Sequence, residues 1–481
     1  MENWRPVLLV NGTMTGILAL FMLVPAAIDA QAGNPDWQVF LIAAFLTGFA
    51  GGIVALASLG GGTLNIRQAF LLTTTTWITL PAFAALPFAF SELDLSYTDS
   101  FFEAMSGLTT TGSTVISGLD DAPPGLLIWR AILQWLGGIG IIVTGVAILP
   151  MLRIGGMQLF RTESSDTSDK ALPRAAEISL AITLIYAGLT LVCAVCMWLV
   201  GLTPFDAVAH AMTTVATGGF STRDASVGGY DLAGLDVVIT LFMLIGCLPF
   251  LLFLQAVRGQ PLALWRDQQV RWFLSIVAVA VAVMTVWLAA TGEAPFLTGL
   301  RLAAFNVVSI LTGTGYATAD YGQWGAFAVV VFFFIMFIGG CAGSTSCSIK
   351  VFRFQVLYAA AHAQMSTLLR PHGIFVAHFN RRPITEQVMD SVMSFFFLFA
   401  LSFAVLALLL TLLGLDTLTA ISGAATAICN VGPGLGPVIG PSGTFAPLPD
   451  AAKWLLSAGM LLGRLELFTV LVLFTPTFWR G

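Results

Sequence analysis

Long apolar runs separated by short polar breaks dominate the chain. Stretches reaching the roughly 20 residues that a helix needs to cross a ~30 Å hydrocarbon core predict ten spanning helices. They fall at approximately 7–28, 38–58, 69–90, 125–150, 178–200, 233–257, 270–291, 324–350, 387–413 and 452–477. Between the third and fourth, and in three later gaps, lie semi-polar segments ending in Thr, Ser and Gly, too short and too polar to span. The first run resembles a secretory leader in having Arg5 ahead of it and small residues at Ala30 and Ala32. It is longer than a leader's apolar centre, so it is read as a retained span.

Composition agrees with the pattern. Of 481 residues, 57% are hydrophobic and only 9% charged, too few charges to coat a water-soluble globule of this size. With residue 1 in the cytoplasm, basic residues such as Arg5, Arg67, Arg153, Arg161, Lys170, Arg174, Arg258, Arg271, Arg353, Arg381 and Arg382 fall at inner ends of helices. Asp29, Asp36, Glu92, Asp94, Asp99, Asp120, Asp121 and Asp450 fall outside, where they concentrate cations, an effect that Arg223 and Lys453 dilute. The expected setting is a membrane, with lipid around the chain and both termini on the cytoplasmic side. Cys193 and Cys196 form C-x-x-C in mid-span and are read as packing residues. His362, His372 and His378 lack metal-ligand spacing, and neither a P-loop nor a dinucleotide fingerprint is present. Neither a covalently bound cofactor nor a nucleic-acid partner is expected.

The four semi-polar segments align on Gly112, Gly219, Gly315 and Gly432, roughly every hundred residues. Each has a hydroxyl six positions earlier: Ser106, Thr213, Ser309 and Thr426. Asp99 and Asp206 stand thirteen positions before the first two glycines, a spacing that selects Gly219 over Gly218. Leu302 and Thr419 stand at that place in the other segments, with Asp416 slightly upstream of Thr419. These carboxylates are read as helix caps in preference to ion ligands. Each segment is then a short helix followed by an extended return, flanked by two spans. The predicted fold is an all-α integral membrane protein of four helix–pore loop–helix repeats around a central pore, preceded by two extra transmembrane helices. The expected division is 1–60 for that pair, then 61–157, 158–258, 259–383 and 384–481 for the repeats.

Non-helical backbone at membrane depth must be buried or line a water-filled cavity, so four such loops predict a pore. Rings of backbone carbonyls can replace the water lost by a cation, and glycine lets successive carbonyls face one axis. The candidate filter is Thr110, Thr111 and Gly112; Thr217, Gly218 and Gly219; Gly313, Thr314 and Gly315; and Asn430, Val431 and Gly432. The negative ends of four pore-helix dipoles favour a cation there without a carboxylate ring, pointing away from multivalent ions.

Two outliers suggest a gate. The eighth span breaks at Gly339, Gly340 and Gly343, among the small polar residues Ser344, Thr345 and Ser346, before Lys350. Close helix packing is the other reading of these residues. Arg464 falls inside the last span, where a charge is costly. It is expected to project beneath the filter against the broken segment, the alternative being pairing with helix-end carbonyls. Glu466, two residues on, is on another helical face.

Leu108, Thr109, Thr110, Thr111, Gly112, Ser113 and Thr114, with Thr217 to Thr222, Thr314 to Tyr321 and Asn430 to Gly434, resemble the TrkH/TrkG/KtrB/HKT superfamily of potassium transporters, in its bacterial TrkH branch. The likeness extends over nearly the whole chain, including the extra helix pair. It implies potassium as the transported ion, one filter glycine per repeat, and a mobile intramembrane loop at the broken helix. It also implies a homodimer and a peripheral nucleotide-binding ring protein of the TrkA type, for which segments 362–383 and 258–271 offer basic and polar surface. Gly313 departs from the hydroxyl residue common in relatives. The expected function is gated, potassium-selective uptake, with a symporter coupling potassium to protons or sodium as the alternative. An intramembrane enzyme is disfavoured, because His210, the one histidine in a pore segment, has no evident partner in the sequence.

Overall fold

The computed structural model describes residues 4–60, 64–143, 171–380 and 382–480. Arg153, Arg161, Lys170 and Arg381, the end of the predicted span 125–150 and the start of the predicted repeat 158–258 lie outside the described residues. Among the described residues, seven helices are long and apolar enough to cross a membrane, including Arg5–Ala32, Trp37–Ala57, Ile66–Ala89, Gln268–Thr291 and Glu386–Leu412. Their outer faces carry exposed Phe45, Phe49, Leu199 and Leu412, while Phe40, Phe88 and Trp129 are fully buried. That distribution suits an apolar solvent, where outward apolar surface costs nothing and polar groups turn inward.

Among the described residues, three of the predicted spans break or bend sharply. The break after Ala326–Ile335 is the expected one. The other two correct the expectation of straight helices over 233–257 and 452–477. Leu235–Gly246 meets Phe250–Val257 at 93°, and Asp450–Arg464 meets Phe468–Phe474 at 108°. At the first, Pro249 supplies no N–H and holds Leu248 out of helical continuation, so Cys247 and Leu248 donate instead to Leu244 O and Ile245 O at 3.1 Å. At the second, Glu466 and Leu467 both take positive φ, 59° and 51°.

Four short helices lie between the spans: Tyr97–Leu108, Pro204–Val215, Phe296–Leu311 and Thr417–Cys429. The first packs on Asp450–Arg464 from the far end of the chain, the second on Pro124–Val143 and the third on Leu235–Gly246. First and last repeats are therefore neighbours.

Their starts follow one rule in three cases. Ser96, Thr203 and Asp416 cap the backbone N–H of Asp99, Asp206 and Thr419, each at 3.1 Å. Ser96 and Thr203 also donate to the Asp99 and Asp206 carboxylates at 2.8 Å, which orients each hydroxyl to accept from the backbone. Asp99 and Asp206, expected to cap, instead stand at the third helical position and hold the capping hydroxyls, whereas the fourth repeat exchanges the two residue types and Asp416 caps directly. The third helix begins a turn earlier behind Pro295, with no side-chain cap, which explains why Leu302 interrupts the spacing.

Candidate functional site

All four short helices end in the same way. The residue two before each aligned glycine is left-handed: Thr110 at φ 51°, Thr217 at 52°, Gly313 at 71° and Asn430 at 53°. The next N–H, of Thr111, Gly218, Thr314 or Val431, reaches back to the carbonyl of the predicted hydroxyl residue. Those bonds are Thr111 to Ser106 and Gly218 to Thr213 at 2.8 Å, Thr314 to Ser309 at 2.9 Å and Val431 to Thr426 at 3.1 Å. This is the Schellman arrangement, which satisfies carbonyls that a helix end leaves free. Gly313 stands where such a turn favours glycine, so its departure from a hydroxyl preserves the backbone.

The aligned glycines turn left-handed again, at φ 87° for Gly112, 79° for Gly219, 82° for Gly315 and 110° for Gly432. Gly219 rather than Gly218 has this conformation, as the spacing predicts. Their surroundings form a closed circuit. A Cβ on Gly112 would stand 2.2 Å from Gly218 O, one on Gly219 1.8 Å from Thr314 O, one on Gly315 2.1 Å from Val431 O and one on Gly432 2.8 Å from Thr111 O. Each repeat thus presses the carbonyl before its glycine against the glycine of the preceding repeat, and the fourth closes on the first. Any side chain would displace backbone around the ring. The twelve candidate filter residues all lie here; nine are buried, and Gly112, Gly219 and Gly315 are half-buried.

The predicted broken segment, 339–348, packs immediately against this ring. Thr345 Oγ1 donates to Val215 O at 3.1 Å and Gly246 O at 2.9 Å, and Thr217 Oγ1 reaches it at 3.2 Å. Ser348 Oγ donates to Cys429 O at 2.9 Å. The loop therefore holds carbonyls at the C-terminal ends of the second and fourth short helices. It also repairs the bent sixth span, with Cys341 N–H on Cys247 O, Thr345 N–H on Gly246 O, and Phe250 N–H on Gly343 O. Gly339 and Gly340 pack so tightly that a Cβ would lie 2.0 Å from Cys347 O or 3.0 Å from Cys247 O, whereas Gly343 has open space and φ 76°. Gly340 N–H bonds Ser346 Oγ at 2.9 Å, Ser344 Oγ bonds Cys341 O at 2.7 Å, and Lys350 Nζ bonds Ser346 O.

Arg464, 1% exposed, is the last residue of its helix, at the bend. Its guanidinium donates to Thr345 O at 3.2 Å, Cys347 Sγ at 2.7 Å and Gly137 O at 2.6 Å. It therefore touches the broken segment, as expected, while the helix carbonyl it meets, Gly137 O, lies within a helix and not at its end. A cavity of about 20 Å³ between Arg464, Lys350, Ser346 and Ile428 has room for one water. Glu466 pairs across the fold with Arg353, which also lies 3.7 Å over the Phe395 ring.

Residues 37–480 match the family model described as TrkH, a cation transport protein. The chain belongs to the TrkH family. It is 48% identical over 488 residues to the Trk system potassium uptake protein TrkI of Halomonas elongata, covering 100% of this chain and 98% of the relative. It is 40% identical to the TrkH of Escherichia coli K12, over 87% of both chains. The crystal structure of the potassium transporter TrkH from Vibrio parahaemolyticus superposes over 100% of both chains, with TM-score 0.92 at 37% identity. This TrkH-family chain is thus a multi-pass membrane protein of a transporter family, not an enzyme.

Sequence reasoning missed what lies behind the TrkH-type ring. Gln134 accepts from Phe220 N–H at 3.0 Å and donates to Gly218 O at 2.6 Å, bracketing Gly219. A Cβ on Gly218 would strike this amide at 2.3 Å, which explains a glycine where two other repeats carry threonine. Glu103 and Arg130 form a buried ion pair at 2.8 Å. Their signal was a charge in an otherwise apolar segment. His210, expected to lack a partner, has two: Asp206 O at 2.9 Å and Ser221 Oγ at 3.0 Å. The ring fold places them, while sequence distance concealed them.

Proposed function

We propose that this chain takes up potassium across a bacterial cytoplasmic membrane through a gated, channel-like pore, with both termini cytoplasmic. The circuit in which each glycine receives the next repeat's carbonyl carries the reading. It holds the backbones of Thr110 to Gly112, Thr217 to Gly219, Gly313 to Gly315 and Asn430 to Gly432 in one conformation about one axis. That is what a dehydrated monovalent cation needs from oxygen ligands. The uptake of potassium named for the Halomonas and Escherichia relatives supports the choice of ion. The potassium ion is the cargo.

The loop 339–348 is the gate, and this conformation is closed. Thr345 and Ser348 occupy pore-helix carbonyls whose dipole would otherwise favour an ion, and Arg464 sets a fixed positive charge beneath them. Opening withdraws the loop, with its hinge at Gly343 and the span break at Pro249. Symport is the weaker reading, because the buried carboxylates of Glu103, Asp236 and Glu466 are ion-paired, while Asp29 and Asp36, buried and held by the N–H groups of Gly125 and Glu92, belong to the helix pair that precedes the repeats. The chain works as a homodimer with a TrkA-type nucleotide-binding ring. Exposed Leu369 and Ile374, on the connection between two repeats, suit a protein contact.

The test is rescue of a potassium-uptake-deficient bacterium at low external potassium by the full chain. Rescue is expected, with loss on Gly112→Ser and Gly315→Ser. Rescue by sodium alone, or by both variants unimpaired, would overturn the assignment.

A further inference from the structure

The residue nine positions before each aligned glycine is Glu103, His210, Asn306 or Gly423. These share no chemistry, yet three do one job. Each leaves the buried flank of its pore helix and ties the strand that returns from the ring. Glu103 accepts from Val115 N–H at 2.9 Å and Thr114 Oγ1 at 3.0 Å. His210 Nε2 meets Ser221 Oγ at 3.0 Å. Asn306 accepts from Thr318 N–H at 3.2 Å and donates to Thr318 Oγ1 at 2.9 Å. In the fourth repeat, where glycine has no side chain, neighbouring Ser422 does the work, accepting from Leu435 N–H at 2.9 Å.

The first two ties are joined. Arg130 donates to Glu103 Oε1 at 2.8 Å, Thr114 Oγ1 at 3.2 Å and Ser221 O at 2.7 Å, and its guanidinium lies 4.1 Å over the Phe220 ring. One continuous network therefore runs from the first returning strand through Glu103 and Arg130 to the second. Glu103 is 0%, His210 1% and Arg130 2% exposed. The other two ties are neutral and remain within their own repeats.

We propose that the Glu103–Arg130–Ser221–His210 network is a specificity device, whose members position the filter strands of repeats one and two and prevent the ring from contracting around an ion smaller than potassium. The proposal rests on the filter reading above. A sodium ion demands closer oxygens, so discrimination requires the strands to resist inward movement. A buried ion pair contributes little net stability, because desolvation offsets its attraction, but its multiple directed bonds restrict geometry. Glycines alone let the carbonyls meet. The network fixes how far apart they remain.

The test measures sodium and potassium fluxes separately in proteoliposomes of the full-length chain. Removing one charge would strand the other, so the main variant is E103Q/R130Q, with S221A as a milder change that leaves the ion pair and the Ser221 carbonyl intact. For E103Q/R130Q, the sodium-to-potassium flux ratio should rise about tenfold, the equivalent of one lost hydrogen bond's restraint, while maximal potassium flux stays within about threefold. S221A should raise the ratio less. Wild-type discrimination in both variants overturns the proposal, and if E103Q/R130Q is not monodisperse, S221A alone decides. Gly112→Ser, measured alongside, separates the two failures. If it loses discrimination and the network variants do not, only this proposal falls; if it keeps discrimination, the filter reading falls.

Discussion

Thr110, Thr217 and Asn430 hold a left-handed backbone that glycine would adopt without strain, at a cost of roughly 1–2 kcal/mol each. The Schellman bonds around them offset that cost. Gly313 and Gly315 therefore differ in kind, though they stand two residues apart. A Cβ on Gly313 finds its nearest neighbour, Asn430 O, at 3.4 Å, whereas one on Gly315 meets Val431 O at 2.1 Å. Gly313→Asn should preserve potassium uptake, at about 1 kcal/mol of stability, because Asn430 holds the same conformation. Gly315→Ala should abolish it. Growth at limiting potassium distinguishes these outcomes, and equal effects would contradict the ring geometry. The glycines were legible in the sequence because left-handed backbone selects glycine directly, and the hydroxyls six residues earlier because they recur in all four segments, although the bond they share is made by their backbone carbonyls. The ties nine residues earlier were not, because Glu, His and Asn reach one end by different chemistry.

At the scale of elements, the loop 339–348 and the bend at Pro249 are one assembly, since loop groups satisfy backbone left unpaired by the bend. Ser348→Ala removes a neutral hydroxyl shared between the Cys429 and Met336 carbonyls, both at 2.9 Å, a restraint worth about 1 kcal/mol, and should raise basal potassium leak about fivefold. Arg464→Ala removes three charge-assisted bonds and should raise it further, at least tenfold. Flux through proteoliposomes without any regulator measures both, and unchanged leak in Arg464→Ala would exclude it from gating. Glycines and small polar residues announced the loop. Proline marked the first unexpected bend, although a proline within a span can also leave only a kink. Nothing local marked the second bend. Leu465, Glu466 and Leu467 are ordinary helix formers, and Glu466 instead pairs with Arg353, more than a hundred positions earlier in the chain.

Across the whole molecule, the returning strands of the first two repeats are clasped a second time, beyond the ring. Asp120 accepts from Arg223 at 2.8 Å and from Asp224 N–H at 3.2 Å, and Asp224 accepts from Gly118 N–H at 2.9 Å and Leu119 N–H at 3.1 Å. The Arg223 hydrogen bond, then that from Asp224, holds the Asp120 carboxyl below its usual range. A depressed folded-state value means that its stabilisation is complete above the unfolded carboxyl pKa of about 3.9 and is lost as pH falls through the folded value. Thermal melts should therefore show a small acid-side loss below about pH 4 that Asp120→Asn removes; an unchanged acid limb would discount the clasp, which is solvent-screened and weak. By itself the sequence determined the membrane, the four-repeat plan, the aligned glycines and the broken loop. Each of these is written in local composition, because hydrocarbon selects apolar runs and left-handed turns select glycine. Only the tertiary structure decided which carbonyl meets which glycine, that two further spans bend, and that Glu103, Arg130 and His210 share one network. Those contacts join residues far apart in the chain, and what fixes them is the closing of four repeats into a ring.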